Sequence, residues 1–263
     1  MEEGIFTFIF HFIHYASLPA ALALFCAVIF TADDRNRGKA MMLSLSAAVS
    51  LNVLLKAVFR VPRPWLMHPE TAPLLAEGGY ALPCLHTQVT AAVLCAFALF
   101  SGKKRIRFLC AAGICVTAAV RVMGGVQSAA DVLSGIAAGI LCAFLICRFR
   151  YSGNAAVRGL TGGIVFLTGT AAAVFFGEPW GAGLALSVLA LDLLERVFFV
   201  ADSGRTRFGR LYGTVLTIGI YAGAYIFLPF LIEWLVTPFW PGQIMIVFLV
   251  TLLPCLFPLF PVF

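Results

Sequence analysis

The sequence predicts an all-α membrane protein, a polytopic bundle of transmembrane helices, on three observations. Of its 263 residues, 62% are hydrophobic and 11% charged, whereas soluble domains run roughly half apolar and a quarter charged. Mean hydropathy is +1.00, and apolar runs of the ~20 residues needed to cross a bilayer core recur along the chain. The alternation of apolar and polar residues that marks a β-barrel is absent, so helices must satisfy the backbone polar groups in lipid.

About nine spans are expected, at roughly 4–31, 40–59, 82–101, 106–122, 130–147, 157–176, 181–200, 211–231 and 243–262. The start Met1-Glu2-Glu3 is acidic and the apolar run behind it is long, which argues for a retained span over a signal peptide. Arg35, Arg37 and Lys39 follow the first span, and Lys103, Lys104, Arg105 and Arg107 follow the third. Arg148, Arg150 and Arg158 follow the fifth; Arg205, Arg207 and Arg210 follow the seventh. Pro254, Pro258 and Pro261 make the last span irregular. Thirteen of the 18 basic residues thus occupy alternate loops, and the positive-inside rule makes that side cytoplasmic, with the N-terminus outside. The net charge of +6 is distributed by membrane sidedness, with no basic run of the kind that binds nucleic acid.

Arg196 falls near the cytoplasmic end of a span. Lys56, Arg60, Arg63 and Arg121 instead fall at the opposite, non-cytoplasmic face, in breach of the charge rule. Snorkelling explains one or two such cations. Four together, with His86 and Asp131 at the same level, point to a site for an anion.

Three segments reach that face. Lys56 to Pro64 closes the second span, Pro83-Cys84-Leu85-His86-Thr87 opens the third, and Arg121 to Asp131 links the fourth and fifth. In these segments the chain resembles the phosphatidic acid phosphatase type 2 superfamily, whose signatures read K-x6-RP, PSGH and SR-x5-H-x3-D. Lys56 through Arg63-Pro64 keeps the first, Pro83 and His86 keep the outer residues of the second, and Arg121, Gln127 and Asp131 keep the spacing of the third. Glu77-Gly78-Gly79-Tyr80 and Val132-Leu133-Ser134-Gly135 are similar to the motif surroundings in bacterial members. The resemblance covers roughly residues 1–150, a lipid phosphate phosphatase-like membrane core, and leaves 151–263 as additional transmembrane helices of unassigned role.

The resemblance implies a phosphate site. Lys56, Arg63 and Arg121 would hold a phosphate whose equatorial oxygens gather charge in the transition state, the arginines as bidentate forks and the lysine as a point charge. Cys84 and Leu85 would line the same position. His86 would protonate the leaving alcohol, and Asp131 would orient the nucleophilic histidine. The nucleophile position, however, holds Gln127, and an amide forms no phosphohistidine-type intermediate. Cys84, Leu85 and Val120 replace the Ser and Gly of the second motif and the Ser of the third. The expectation is therefore a lipid bearing a phosphate headgroup, bound at the non-cytoplasmic face of the cell membrane, with histidine-nucleophile hydrolysis lost or crippled. Two alternatives stand beside it. One is an active phosphatase on a lipid monoester or pyrophosphate, using His86-activated water or Cys84. The other is a lipid-phosphate carrier or flippase. No metal or organic cofactor is indicated.

The remaining polar residues have plainer readings. Arg60 lies outside the motif as a rim charge, and His11 and His14 on the first span read as packing residues. His68 reads as a solvated loop residue. Asp192, Glu195 and Arg196 form an i,i+3/i,i+4 charge set, structural or coupled to transport. The cysteines other than Cys84 sit in apolar runs without CxxC spacing and read as small buried hydrophobes.

Overall fold

In the computed structural model the described residues are 2–68, 72–150, 154–197, 215, 244 and 246–252. Among them the fold is all-helical, with the order α1 (Glu2–Ala16), α2 (Pro19–Ala32), α3 (Arg35–Phe59), α4 (Pro64–Met67), α5 (Leu85–Phe100), α6 (Lys104–Met123), α7 (Ala129–Arg150), α8 (Ala155–Phe176) and α9 (Trp180–Val197). Four described helices are long and apolar enough to cross a membrane, or up to five if the bent α1–α2 pair counts as one. Of the nine expected spans, seven fall wholly or mostly on the described residues, and each of the seven coincides with an apolar helix or with the bent pair. The eighth and ninth expected spans lie outside the described residues apart from Val215, Ile244 and 246–252.

The first expected span, 4–31, is broken. Its halves meet at 62°. Pro19 stands at the first turn of α2 and carries no N–H to continue the ladder of α1, while the Ser17 hydroxyl donates to the carbonyls of Ile13 and His14. The third and seventh expected spans survive as short apolar helices, Leu85–Phe100 and Trp180–Leu193. At about 1.5 Å per residue a 16-residue helix reaches roughly 24 Å, short of a ~30 Å hydrocarbon core.

Helix α5 runs through the centre, between α3 and α7. Val89, Ala92, Val93 and Ala96 are fully buried there. Small residues let the backbones approach, as in membrane helix packing generally: a Cβ on Gly139 of α7 would lie 2.2 Å from the Gln88 carbonyl of α5. Buried amides fasten α5 to α3. Asn52 donates to the Gln88 side chain (2.8 Å) and the Pro83 carbonyl (3.0 Å), and Gln88 donates to the Ala48 carbonyl (3.0 Å).

The C-terminal described helices pack on the same scaffold. Ser46 of α3 donates to the Gly181 carbonyl at the start of α9 (2.6 Å). At the other end of α9, Asp192 takes a two-pronged bond from Arg150 of α7 (2.5 and 2.6 Å) and an ion pair from Lys39 of α3 (3.0 Å). Asp192 therefore pairs across three helices, and the side chains of Glu195 and Arg196 lie outside the description. Lys39 and Arg150, expected in cytoplasmic loops, are 2% and 5% exposed. Burial this deep requires a charge partner, and Asp192 is that partner.

Candidate functional site

The far ends of α3 and α7 build the second charged centre. Helix α3 ends at Arg60, which adopts a left-handed conformation (φ 50°) and turns the chain. The exposed guanidinium of Arg60 folds back on the Ala57 carbonyl, in keeping with a rim charge. Three residues on, Arg63 precedes Pro64 and is 3% exposed. Arg121 lies in the last turn of α6 and is fully buried. His86 lies in the first turn of α5, where Cys84 occupies the N-cap position.

Arg63 and Arg121 converge on one carboxylate, that of Glu77. Arg63 Nη1 donates to Glu77 Oε2 (2.9 Å), and Arg121 Nη2 donates to Glu77 Oε1 (2.5 Å). Burial alone would raise the Glu77 carboxyl. Arg121, through its charge and its hydrogen bond, outweighs that with help from His86 and Arg63 and holds the group at about 2. Arg63 also donates through Nη2 to the Gly78 carbonyl (2.9 Å) and through Nε to that of Gly79 (3.3 Å). Lys56, one turn before the end of α3, is within electrostatic reach of Arg63, Arg121, Glu77 and Cys84. From the turn between α8 and α9, Glu178 comes within reach of Lys56.

Gln127 belongs to the same centre. In the amide orientation that satisfies both its ends, its oxygen accepts from Arg63 Nη1, and its nitrogen donates to Asp131 Oδ2 (3.3 Å) and the Ala81 carbonyl (3.1 Å). Asp131 is itself held by reciprocal bonds with Ser128: Ser128 N donates to Asp131 Oδ2 (2.8 Å) and Asp131 N to Ser128 Oγ (3.2 Å), a cap for α7. The Asp131 carbonyl accepts from Cys84 N (2.9 Å), which joins the first turns of α5 and α7.

Helix α1 covers this centre and supplies a residue the sequence reading assigned to packing. His14 Nδ1 lies 3.2 Å from Arg121 Nη1 and 3.5 Å from Glu77 Oε1. Arginine only donates, so Nδ1 faces it as the acceptor. The His14 ring stands 4.7 Å from that of His86, and Phe10 lies under the Arg121 guanidinium at 5.8 Å. His86 is 7% exposed and its Nε2 has no partner; Arg121 Nε is likewise buried and unpartnered. His11 bonds within its own helix to the Thr7 carbonyl, and His68 is exposed.

The remaining site candidates are close by. Cys84 is fully buried, and the Leu85 side chain packs against the hydrophobic core. Among the described residues no disulfide joins the cysteines. His14, Glu77 and His86 carry ligand atoms within 4.8 Å of one another, the one metal-capable grouping among the described residues. Arg121 already bonds two of the three, and Lys56 and Arg63 add further positive charge. A divalent cation would meet that charge, whereas an anion is complementary to it.

Glu77 and His14 could not be found from motif spacing. Glu77 comes from an irregular loop and His14 from a helix 107 residues before Arg121. The available signal was Glu77-Gly78-Gly79, an acid beside glycines in a segment lying among cations.

Comparison with known proteins gives one match. Residues 37–154 match the PAP2 superfamily, a range that contains Lys56, Arg63, Glu77, His86, Arg121, Gln127 and Asp131. No curated protein and no solved structure matches the chain.

Proposed function

We propose, from the match of residues 37–154 to the PAP2 superfamily, that the chain binds the phosphate headgroup of a membrane lipid at the non-cytoplasmic face. The convergence of Arg63 and Arg121 on a single carboxylate carries this reading. Two guanidiniums that share the oxygens of one carboxylate are spaced to share those of one phosphate. Lys56 adds a third positive charge, and the apolar helices around the site would keep the lipid tails in hydrocarbon.

The chemistry expected at position 127 is absent. Gln127 bridges Arg63 and Asp131 as a hydrogen-bonding amide and cannot carry a phosphoryl group. Turnover, where present, has to come from another residue. His86 is the available acid or base, because its buried Nε2 is free to meet a substrate atom. That single observation favours the active-phosphatase alternative over the carrier. Asp192, one of the three charges on which carrier coupling would rest with Glu195 and Arg196, is held between Lys39 and Arg150.

The test is binding of short-chain phosphatidic acid to the purified chain in detergent, by calorimetry. The wild type should bind and Arg121→Ala should not, whereas equal binding by the two would refute the clamp. Phosphate release by the wild type, abolished in His86→Ala, would establish the phosphatase alternative.

A further inference from the structure

The anion position is filled from within the chain. Each oxygen of the Glu77 carboxylate goes to a different guanidinium, Oε2 to Arg63 and Oε1 to Arg121, as two oxygens of a phosphate would. An incoming headgroup cannot reach these donors while Glu77 stays. We propose that Glu77 is an internal competitor for the phosphate position, so that only anions able to displace a tethered carboxylate are bound. This rests on the clamp reading above and adds a threshold to it.

The surroundings allow the exchange. The loop is pinned on either side of Glu77, by Leu74 N to the Gly124 carbonyl (3.0 Å) and Ala81 N to the Val61 carbonyl (2.8 Å). Next along the chain, Gly78 and Gly79 are exposed, and a Cβ on either would meet nothing within 4 Å. The Glu77 side chain is itself 14% exposed, so on our proposal it leaves toward this open side by side-chain rotation while the loop keeps its anchors. Donors also stand ready for a larger anion. Arg121 Nε and His86 Nε2 are buried without partners, and a phosphate offers more acceptor oxygens than the carboxylate it replaces.

The consequence is quantitative. A tethered group competes at an effective concentration of order millimolar or higher, and a ligand that binds only the vacated state has its apparent Kd multiplied by the same factor whatever its identity. A terminal phosphate with close to two charges binds the cations more strongly than a diester phosphate with one. A common penalty leaves the former in range and pushes the diester phosphates of bulk phospholipids out of it. Competition and simple repulsion part here. Repulsion by Glu77 would penalise the more highly charged ligand more, whereas occupancy penalises both equally.

The experiment compares the full chain with Glu77→Gln in detergent, using dihexanoyl phosphatidic acid as the terminal phosphate and dihexanoyl phosphatidylglycerol as the diester. Glu77→Gln should tighten both by one common factor of at least about 10. An unchanged or weakened Kd for phosphatidic acid overturns the proposal, as does a larger gain for that ligand than for the diester. If wild type and variant both fail to bind phosphatidic acid, the clamp reading falls and this proposal with it; if the wild type binds and the variant is no tighter, only this proposal falls. Should Glu77→Gln be unstable, inorganic phosphate must restore its thermal stability with a larger shift than it gives the wild type, and failure to do so also overturns the proposal. Glu77→Asp, which draws the carboxylate back by one methylene, should give an intermediate Kd, and a wild-type value would count against occupancy.

Discussion

Replacing Gln127 by histidine tests how much of a working site is left. The Gln127 amide lies against Asp131 Oδ2 and the Arg63 fork, so an imidazole there would have a carboxylate to fix its tautomer and a cation beside the phosphate it attacks. Asp131 is fastened by Ser128 and would not need to move. Loss of a nucleophile costs roughly a million-fold in kcat in well-measured covalent hydrolases. Two hydroxyl donors of the family pattern are also missing here, at Cys84 and Val120, and each is worth at least about 100-fold if it contacts the transition state. Both proteins lack those donors, so that deficit cancels in their ratio: the reversion should release phosphate up to about a million-fold faster than the wild type while staying about 10,000-fold below a site that keeps both hydroxyls. Phosphatidic acid in mixed micelles is the substrate, and an acid-labile phosphoprotein trapped early in turnover would mark the covalent step. A Gln127→His protein that binds phosphatidic acid like the wild type yet releases phosphate no faster would show that position 127 no longer faces the phosphorus.

Three further outcomes follow from the buried charges and the packing. Asp192→Asn should destabilise the fold by about 3–5 kcal/mol, because it removes the carboxylate that the buried Arg150 grips with both prongs and that Lys39 shares; thermal unfolding in detergent reads this, and a loss below about 1 kcal/mol would contradict the pairing. The folded carboxyl of Glu77 sits at about 2, below its ordinary 4.5, so its stabilisation is complete above the ordinary value and is lost as pH falls toward 2. The shift corresponds to as much as about 3 kcal/mol, and Glu77→Gln should lack that component of the acid-side decline, an identical decline in both proteins arguing otherwise. Gly139→Leu should force α7 away from α5, since even a Cβ meets the Gln88 carbonyl at 2.2 Å; a fall in melting temperature with loss of headgroup binding is expected, and an unchanged melting temperature would contradict the packing.

How far the sequence could be read depended on where the information lay. Lys56, Arg63, Arg121, Gln127 and Asp131 could be placed together because each sits at or near a helix end, and spacing within a span sets which end. Their partner could not. Glu77 reaches the arginines from an irregular loop, and loop paths leave no periodicity to follow. His14 was missed because a histidine on an apolar helix has a satisfactory packing explanation until its neighbours are known. Asp192 illustrates a rule applied too locally: the i,i+4 argument sees partners on the same helix, while the cations that neutralise it come from α3 and α7. The break in the first span had a visible cause in Ser17-Leu18-Pro19, but a count of apolar residues does not register a missing N–H.

The claim on which the account depends is that Arg63 and Arg121 grip the same anion. A double-mutant cycle on inorganic phosphate binding measures it directly, with Arg63→Ala, Arg121→Ala and the double variant compared in detergent. A shared ligand predicts strong coupling, between about 0.5 and 3 kcal/mol, with the second substitution costing much less than the first. Losses that add to within about 0.5 kcal/mol would mean that the two arginines act on separate groups.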